Sequence, residues 1–96
     1  MPSIEPGTVV VASRDQVGSD LAGETVLLSM KTARYYGLAD VGARIWALLQ
    51  EPVTISSICE TISGEYDVSR GQCEADVVRF VEELATHGLI EVRGGA

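Results

Sequence analysis

Residues 24–38 read Glu24-Thr25-Val26-Leu27-Leu28-Ser29-Met30-Lys31-Thr32-Ala33-Arg34-Tyr35-Tyr36-Gly37-Leu38, and the β-branched and aromatic residues on either side of a short polar break decide the fold class. The first half alternates as a strand does, with Val26, Leu28 and Met30 on one face and Thr25, Leu27 and Ser29 on the other. The even face carries the larger apolar set, so it is expected to meet the core. Lys31-Thr32-Ala33 is short enough for a hairpin loop, and Arg34 to Leu38 returns as a strand on which Tyr36 and Leu38 share a face. Upstream, residues 8–13, Thr-Val-Val-Val-Ala-Ser, form a β-branched run opened by Pro6-Gly7, which reads as a further strand. Gly18, Ser19, Asp20 and Gly23 form a turn-rich cluster that should carry the chain back antiparallel. The result is a three-stranded meander in the order 8–13, 24–30, 34–38.

Downstream of Leu38 the period changes. Val41, Ile45, Leu48 and Leu49 fall at i, i+4, i+7 and i+8, Asp40 is a good N-cap, and Pro52 lies just beyond the end, which predicts a helix with Trp46 at the core or its rim. Thr54 can cap a second helix with the apolar face Ile55, Ile58, Cys59 and Ile62, stopped by Gly64. Ser69 followed by Gln72 has the capping-box spacing, so a third helix starts there and carries Val77, Phe80, Val81 and Leu84 on one face. Gly88 ends it, with Leu89 and Leu84 placed to make the hydrophobic contact of a Schellman motif. Leu89-Ile90-Glu91-Val92 reads as a short extended tail, and Arg93-Gly94-Gly95-Ala96 as a fraying end. The expectation is an α+β fold of the winged helix-turn-helix type: a three-stranded antiparallel sheet followed by three helices.

Ninety-six residues with 46% apolar content suit one domain spanning residues 1–96, with a core over about residues 7–92, large enough to bury roughly 65% of its unfolded surface. The N-terminus has no basic region before an apolar stretch, and no apolar run approaches the ~20 residues of a membrane span. A cytoplasmic protein with no membrane partner is expected. In that setting Cys59 and Cys73 read as free, partly buried thiols.

Chemistry-bearing residues are sparse. His87, the single histidine, falls in the last turn of the third helix, where it suits the helix dipole as a capping residue. Cys59 and Cys73 lie on or near apolar helix faces, where burial raises a thiol pKa and silences it. Two cysteines fourteen positions apart and a histidine fourteen beyond lack zinc-site spacing, and there is no phosphate loop. No catalytic residue, metal ligand or cofactor is expected, and the chain reads as a binding module that is not an enzyme.

The charge distribution narrows the partner. Residues 1–50 carry five acids and four bases, whereas residues 51–96 carry nine acids and three bases within a net charge of −7. A winged helix on DNA would need cations on the outward face of its third helix, but Glu74, Asp76, Glu82 and Glu83 stand there against Arg70 and Arg79, so no nucleic-acid partner is expected. The second use of the layout is β-augmentation, in which an extended peptide pairs with an open sheet edge. In the meander the strand 34–38 has a free side, and Arg34 is the only charge that guards it.

These residues carry a resemblance. Leu27-Leu28-Ser29, then Tyr35-Tyr36-Gly37-Leu38, then Asp40-Val41-Gly42-Ala43-Arg44-Ile45-Trp46-Ala47-Leu48-Leu49, with Thr54 to Ile58, Val77 to Leu84 and Gly88-Leu89-Ile90 in the same order, resemble the PqqD-like family over about residues 7–92. The resemblance implies a recognition element for ribosomally made, post-translationally modified peptides (RiPPs), which binds the leader region of a precursor peptide as an added strand beside residues 34–38. By that likeness the leader would lie between Arg34, Tyr35, Tyr36, Gly37 and Leu38 on one side and Asp76, Arg79, Phe80 and Glu83 on the third helix. It looks most like the stand-alone recognition proteins of lasso-peptide biosynthesis, which present the precursor to a leader peptidase of the cysteine protease type and to a cyclase. The alternative member type is a peptide chaperone for a radical enzyme in pyrroloquinoline quinone assembly.

Overall fold

A computed structural model describes residues 4–21 and 24–95. In chain order the elements are β1 (Thr8–Ala12), β2 (Gln16–Leu21), β3 (Glu24–Ser29), β4 (Arg34–Leu38), α1 (Asp40–Leu48), β5 (Val53–Thr54), α2 (Ile55–Glu65), α3 (Arg70–Thr86) and β6 (Ile90–Gly95). They form two antiparallel sheets, β2-β3-β4 and β5-β1-β6, around the three helices. The α+β class and the three-stranded antiparallel sheet followed by three helices are as expected.

The membership of that sheet differs from the expectation. The run at residues 8–13 does not pair with residues 24–30: β1 lies between β5 and β6, with Val10 opposite both Val53 and Val92. Its unbroken Val9-Val10-Val11 is the pattern of a central strand covered by other elements rather than of a strand open to water on one face. The first strand of the meander is instead Gln16–Leu21, the stretch expected to be a turn. Gly18 is needed there as a strand residue, since a Cβ on it would lie 3.2 Å from Leu27 Cδ2 and 3.7 Å from Trp46 Nε1, so the missing side chain permits close approach. The tail is ordered through Gly95, because β6 pairs with β1 from Ala12↔Ile90 to Thr8↔Gly95; Ala96 lies outside the described residues.

The inner face of β3 is also reversed. Thr25, Leu27 and Ser29 are buried, Val26 and Leu28 are half-buried, and Met30 is 61% exposed. Burial of a hydroxyl is tolerable when it is bonded: Ser29 Oγ donates to the His87 carbonyl at 3.0 Å and Thr25 Oγ1 donates to Asp20 Oδ1 at 2.8 Å. Leu27 then joins Trp46, Leu49, Ile58, Val81 and Leu89 in the core.

The helix ends follow the sequence closely, except that α2 runs through Gly64 to Glu65 rather than stopping at the glycine. Thr54 Oγ1 accepts from the Ser57 amide at 3.1 Å and Ser69 Oγ accepts from the Gln72 amide at 3.2 Å, which caps α2 and α3 as expected. The cap of α1 is different: Ala39 occupies the N-cap without a side-chain bond, and Asp40 is the first helical residue at φ 52°. At the end of α3, Gly88 adopts φ 72°, the Leu89 amide donates to the Leu84 carbonyl at 2.9 Å and the Gly88 amide donates to the Ala85 carbonyl at 3.1 Å. Those are the two bonds of the Schellman motif, with buried Leu84 and Leu89 beneath them.

Candidate functional site

In the order β2-β3-β4 the strand Arg34–Leu38 is an edge, and its outer side pairs with no described strand. Non-glycine residues of positive φ bracket it, Ala33 at 57° before and Asp40 at 52° after. Such residues are uncommon and turn the chain sharply. Between them the strand is held in register by β3, with Tyr36 opposite Leu27 and Leu38 opposite Thr25.

Alternation divides the strand's side chains. Tyr36 and Leu38 share the face of Leu27 and Thr25 and turn toward the helices, both half-buried. Tyr35 turns the other way, 73% exposed, in a cross-strand row with Leu28 and Val17. Gly37 and Arg34 are exposed, and a Cβ at Gly37 would meet nothing within 4 Å.

A groove of about 460 Å³ runs between this strand and α3, lined by Tyr35 to Leu38 on one side and by Phe80, Glu83, Leu84, His87 and Leu89 on the other. Phe80 and Glu83 are therefore where the sequence expectation put them. Asp76 is one turn away, on a neighbouring cavity. Arg79 lines neither: its side chain is 77% exposed and its guanidinium donates to Asp76 Oδ1 at 2.9 Å. Exposed pairs of this kind are worth about 0–1 kcal/mol, so Arg79 is a rim residue.

Leu84, His87 and Leu89 add walls that the sequence expectation omitted. His87 is the C-cap of α3, as its position suggested, but its ring also packs on Tyr36, with centroids 4.7 Å apart and planes at 38°. The signal was present in the spacing, since Phe80, Glu83 or Leu84, and His87 follow i, i+3 or i+4, i+7 and so share one helix face. Lys31 extends over Gly88, where a Cβ would lie 2.8 Å from Lys31 Cδ. Glu83 stands on the groove's helical wall, whereas the expected Arg34 is exposed at the start of β4 and, like Lys31, lies outside the groove lining.

The neighbouring cavity, about 280 Å³, opens among α1, α2 and α3 and is lined by Val41, Gly42, Ile45, Ile62, Val68, Cys73, Asp76, Val77 and Phe80. Phe80 belongs to both walls. Behind it the thiols of Cys59 and Cys73 are buried and free; burial, then the neighbouring Cys73, pushes the Cys59 thiol up to about 11, which holds it protonated at neutral pH. Across α1 and α2, Arg44 donates to both carboxylate oxygens of Glu65. This bond raises the Arg44 pKa and lowers that of Glu65. Among the described residues no group of acidic, histidine or cysteine side chains is arranged to hold a metal, and no helix is long and apolar enough to cross a membrane.

With this geometry in place, similarity to known proteins becomes informative. The family described as Coenzyme PQQ synthesis protein D (PqqD) matches residues 24–90. Among solved structures, TbiB1 in complex with the TbiA(beta) leader peptide superposes with a TM-score of 0.79 at 37% identity, covering 90% of this chain and 98% of that one. A lasso peptide synthetase B1 complexed with the leader peptide gives 0.76 at 22% identity over 85% and 96% of the two chains. The PqqD truncation of Methylobacterium extorquens PqqCD, a stand-alone RiPP recognition element solved by solution NMR, gives 0.75 at 22% identity over 92% and 94%. The two matches at 22% bear on the fold alone. No curated protein matches the chain.

Proposed function

The chain belongs to the PqqD family, and from that premise we propose that it binds the leader segment of a ribosomal precursor peptide by β-strand addition to β4, performing no chemistry itself. The observation that carries this reading is the conjunction of an unpaired edge, residues 34–38, with an apolar-walled groove beside it. An extended peptide laid on β4 makes main-chain hydrogen bonds that any sequence can make, and alternate side chains drop toward Tyr36, Leu38 and Phe80 or stand out beside Tyr35. The apolar walls supply most of the affinity and the exposed Arg34 and Glu83 steer charge, since exposed ion pairs are worth about 0–1 kcal/mol each.

The structure at 37% identity is a complex with a leader peptide, which supports a leader as the occupant. Presentation of the bound leader to a leader peptidase, with a cyclase acting later, completes the proposal in its lasso-peptide form. A duplex-binding role has little to recommend it, because Glu82 and Glu83 stand exposed on α3 and would repel a phosphate backbone.

The test is a fluorescence-anisotropy titration of the purified chain with a panel of labelled synthetic leaders, the TbiA(beta) leader among them, and with scrambled versions and a DNA duplex as controls. Saturable, sequence-dependent capture of a leader that persists at high salt is the expected result. Equal affinity for leaders and scrambles, or binding to the duplex alone, would sink the reading.

A further inference from the structure

The sheet β2-β3-β4 has a second open edge. β2 pairs with β3 on one side, and its other side meets no described strand. Which of its backbone groups face outward follows from one bond: the Met30 amide donates to the Asp15 carbonyl at 2.8 Å, and bonded positions alternate along an antiparallel pair. Val17 and Ser19 therefore bond to β3, while the amides and carbonyls of Gln16, Gly18 and Asp20 point away from the sheet. Open edges are normally guarded by lysine, proline or a bulge. Gln16–Leu21 contains no lysine or proline, pairs with β3 without a break in register, and carries Asp20 as its single charge.

The edge is self-complementary about Val17. A strand pairing antiparallel with its own copy must set outward groups against outward groups, so the two-fold axis passes through a residue position. With the axis at Val17, Gln16 stands opposite the second copy's Gly18, and the two valines meet at a non-hydrogen-bonded position, where side chains lie closest. Val17 is 59% exposed and continues the cross-strand row of Leu28 and Tyr35, so the contact joins two apolar rows into one. The same register brings Asp20 alongside the second copy's Arg14. Arg14 stands exposed in the bend leading into β2 and belongs to neither ion pair found among the described residues. Asp20 accepts from the Thr25 hydroxyl through Oδ1, which leaves Oδ2 for a guanidinium. It also borders a hollow of about 310 Å³ between β2 and α1, with Thr25, Trp46 and Gln50 on its walls, where the apolar stem of an arginine can lie.

We propose that β2 pairs with β2 of a second copy of this chain about a two-fold axis at Val17, giving a continuous six-stranded sheet. The two β4 edges then lie at its outer ends and stay open, so the dimer is compatible with leader capture and does not depend on it. One short strand per chain makes a contact smaller than a standard protein interface, so the dimer is weak and forms at high concentration.

Sedimentation equilibrium of the full chain from about 10 µM to about 1 mM covers weak association, and a monomer–dimer equilibrium is expected. Amide exchange at Gln16, Gly18 and Asp20 should slow as concentration rises, with Val17 and Ser19 unchanged. Val17→Lys sets like charges on the axis and should weaken dimerisation about tenfold or more. Arg14→Asp and Asp20→Lys each set like charges at both ends of the contact and should weaken it alone, whereas their equimolar mixture pairs opposite charges at both ends and should recover wild-type association. Circular dichroism and the unfolding midpoint check that each variant remains folded. A chain that stays monomeric throughout the range, or a dimer indifferent to Val17→Lys, overturns the proposal. A mixture no more associated than its separate components refutes the register at Val17 and the proposal with it.

Discussion

The imidazole of His87 packs against the phenol of Tyr36, with ring centroids 4.7 Å apart, and so ties the C-terminal end of α3 to the middle of β4. The Ser29 hydroxyl reinforces this junction by donating to the His87 carbonyl at 3.0 Å. The groove's two walls are therefore joined at one end by a tilted aromatic contact and a buried hydrogen bond. A double-mutant cycle of Tyr36→Ala and His87→Ala, read by chemical denaturation, is expected to give a coupling of about 0.5–1.5 kcal/mol, the usual worth of an aromatic pair. Additive losses would show that the two rings stabilise the fold independently.

Ser29→Ala removes the donor to the His87 carbonyl and the acceptor for the Thr32 amide at 3.3 Å. The expected destabilisation is about 1–3 kcal/mol, because partners are left unmet at a buried site. Its leader affinity should fall as well, since α3 and the β3–β4 hairpin lose their tie. An unchanged unfolding midpoint would mean that water replaces both bonds without loss.

Backbone conformation at the two junctions gives opposite predictions. Gly88 sits at φ 72°, and alanine there should cost about 1–2 kcal/mol; combining it with Lys31→Ala separates this backbone cost from the close approach to Lys31. Ala33 sits at φ 57°, so Ala33→Gly should stabilise the fold by about 0.5–1 kcal/mol, the strain relieved exceeding the extra chain entropy of glycine. A rise in the unfolding midpoint for Gly88→Ala, or a fall for Ala33→Gly, would contradict the assigned conformations.

The Arg44–Glu65 pair should leave a signature in acid. Glu65 is held below the usual carboxylate range by its hydrogen bond from Arg44, so its contribution is present above the ordinary glutamate pKa and is lost as pH falls through the lowered one. Wild type should exceed Glu65→Gln in stability near neutrality, and the difference should close on acidification. The stability gap, measured across an acid titration, would have to stay constant for this assignment to be wrong.

Burial of the thiols predicts slow chemistry. With the Cys59 thiol pushed up to about 11, little thiolate is present at mildly alkaline pH, and the side chain has no access to solvent. Alkylation of Cys59 by iodoacetamide should track global unfolding, accelerating with denaturant. Rapid modification of the native protein would show that α2 and α3 open locally.

Much of this architecture was legible because local rules and packing agreed. Thr54, Ser69 and Gly88 announced helix ends through side-chain chemistry that needs no tertiary context, and the 3.6-residue periodicity of Ile55 to Ile62 and of Cys73 to Leu84 matches their burial. The failures came where tertiary partners override pattern. Gly18, Ser19 and Asp20 resemble a turn, yet they form an edge strand because Gly18 lets the chain lie against Leu27 and Trp46. Ser29 looks like a surface residue until the His87 carbonyl, 58 positions away, is brought to it. The edge at residues 34–38 and the Phe80–Glu83 wall could be located from sequence, but the place of His87 in the groove depends on how the end of α3 meets β4, and that contact is long-range.

The central claim is that a leader peptide extends the sheet at β4. Nuclear Overhauser contacts on isotope-labelled protein saturated with unlabelled leader report it directly. The account predicts inter-strand Hα and amide contacts between the leader and residues 34–38, with slowed exchange of the amides on the strand's outer side, and leader side-chain contacts to Tyr36 and Phe80. Saturable leader binding with contacts confined to another surface and unchanged exchange at residues 34–38 would contradict it.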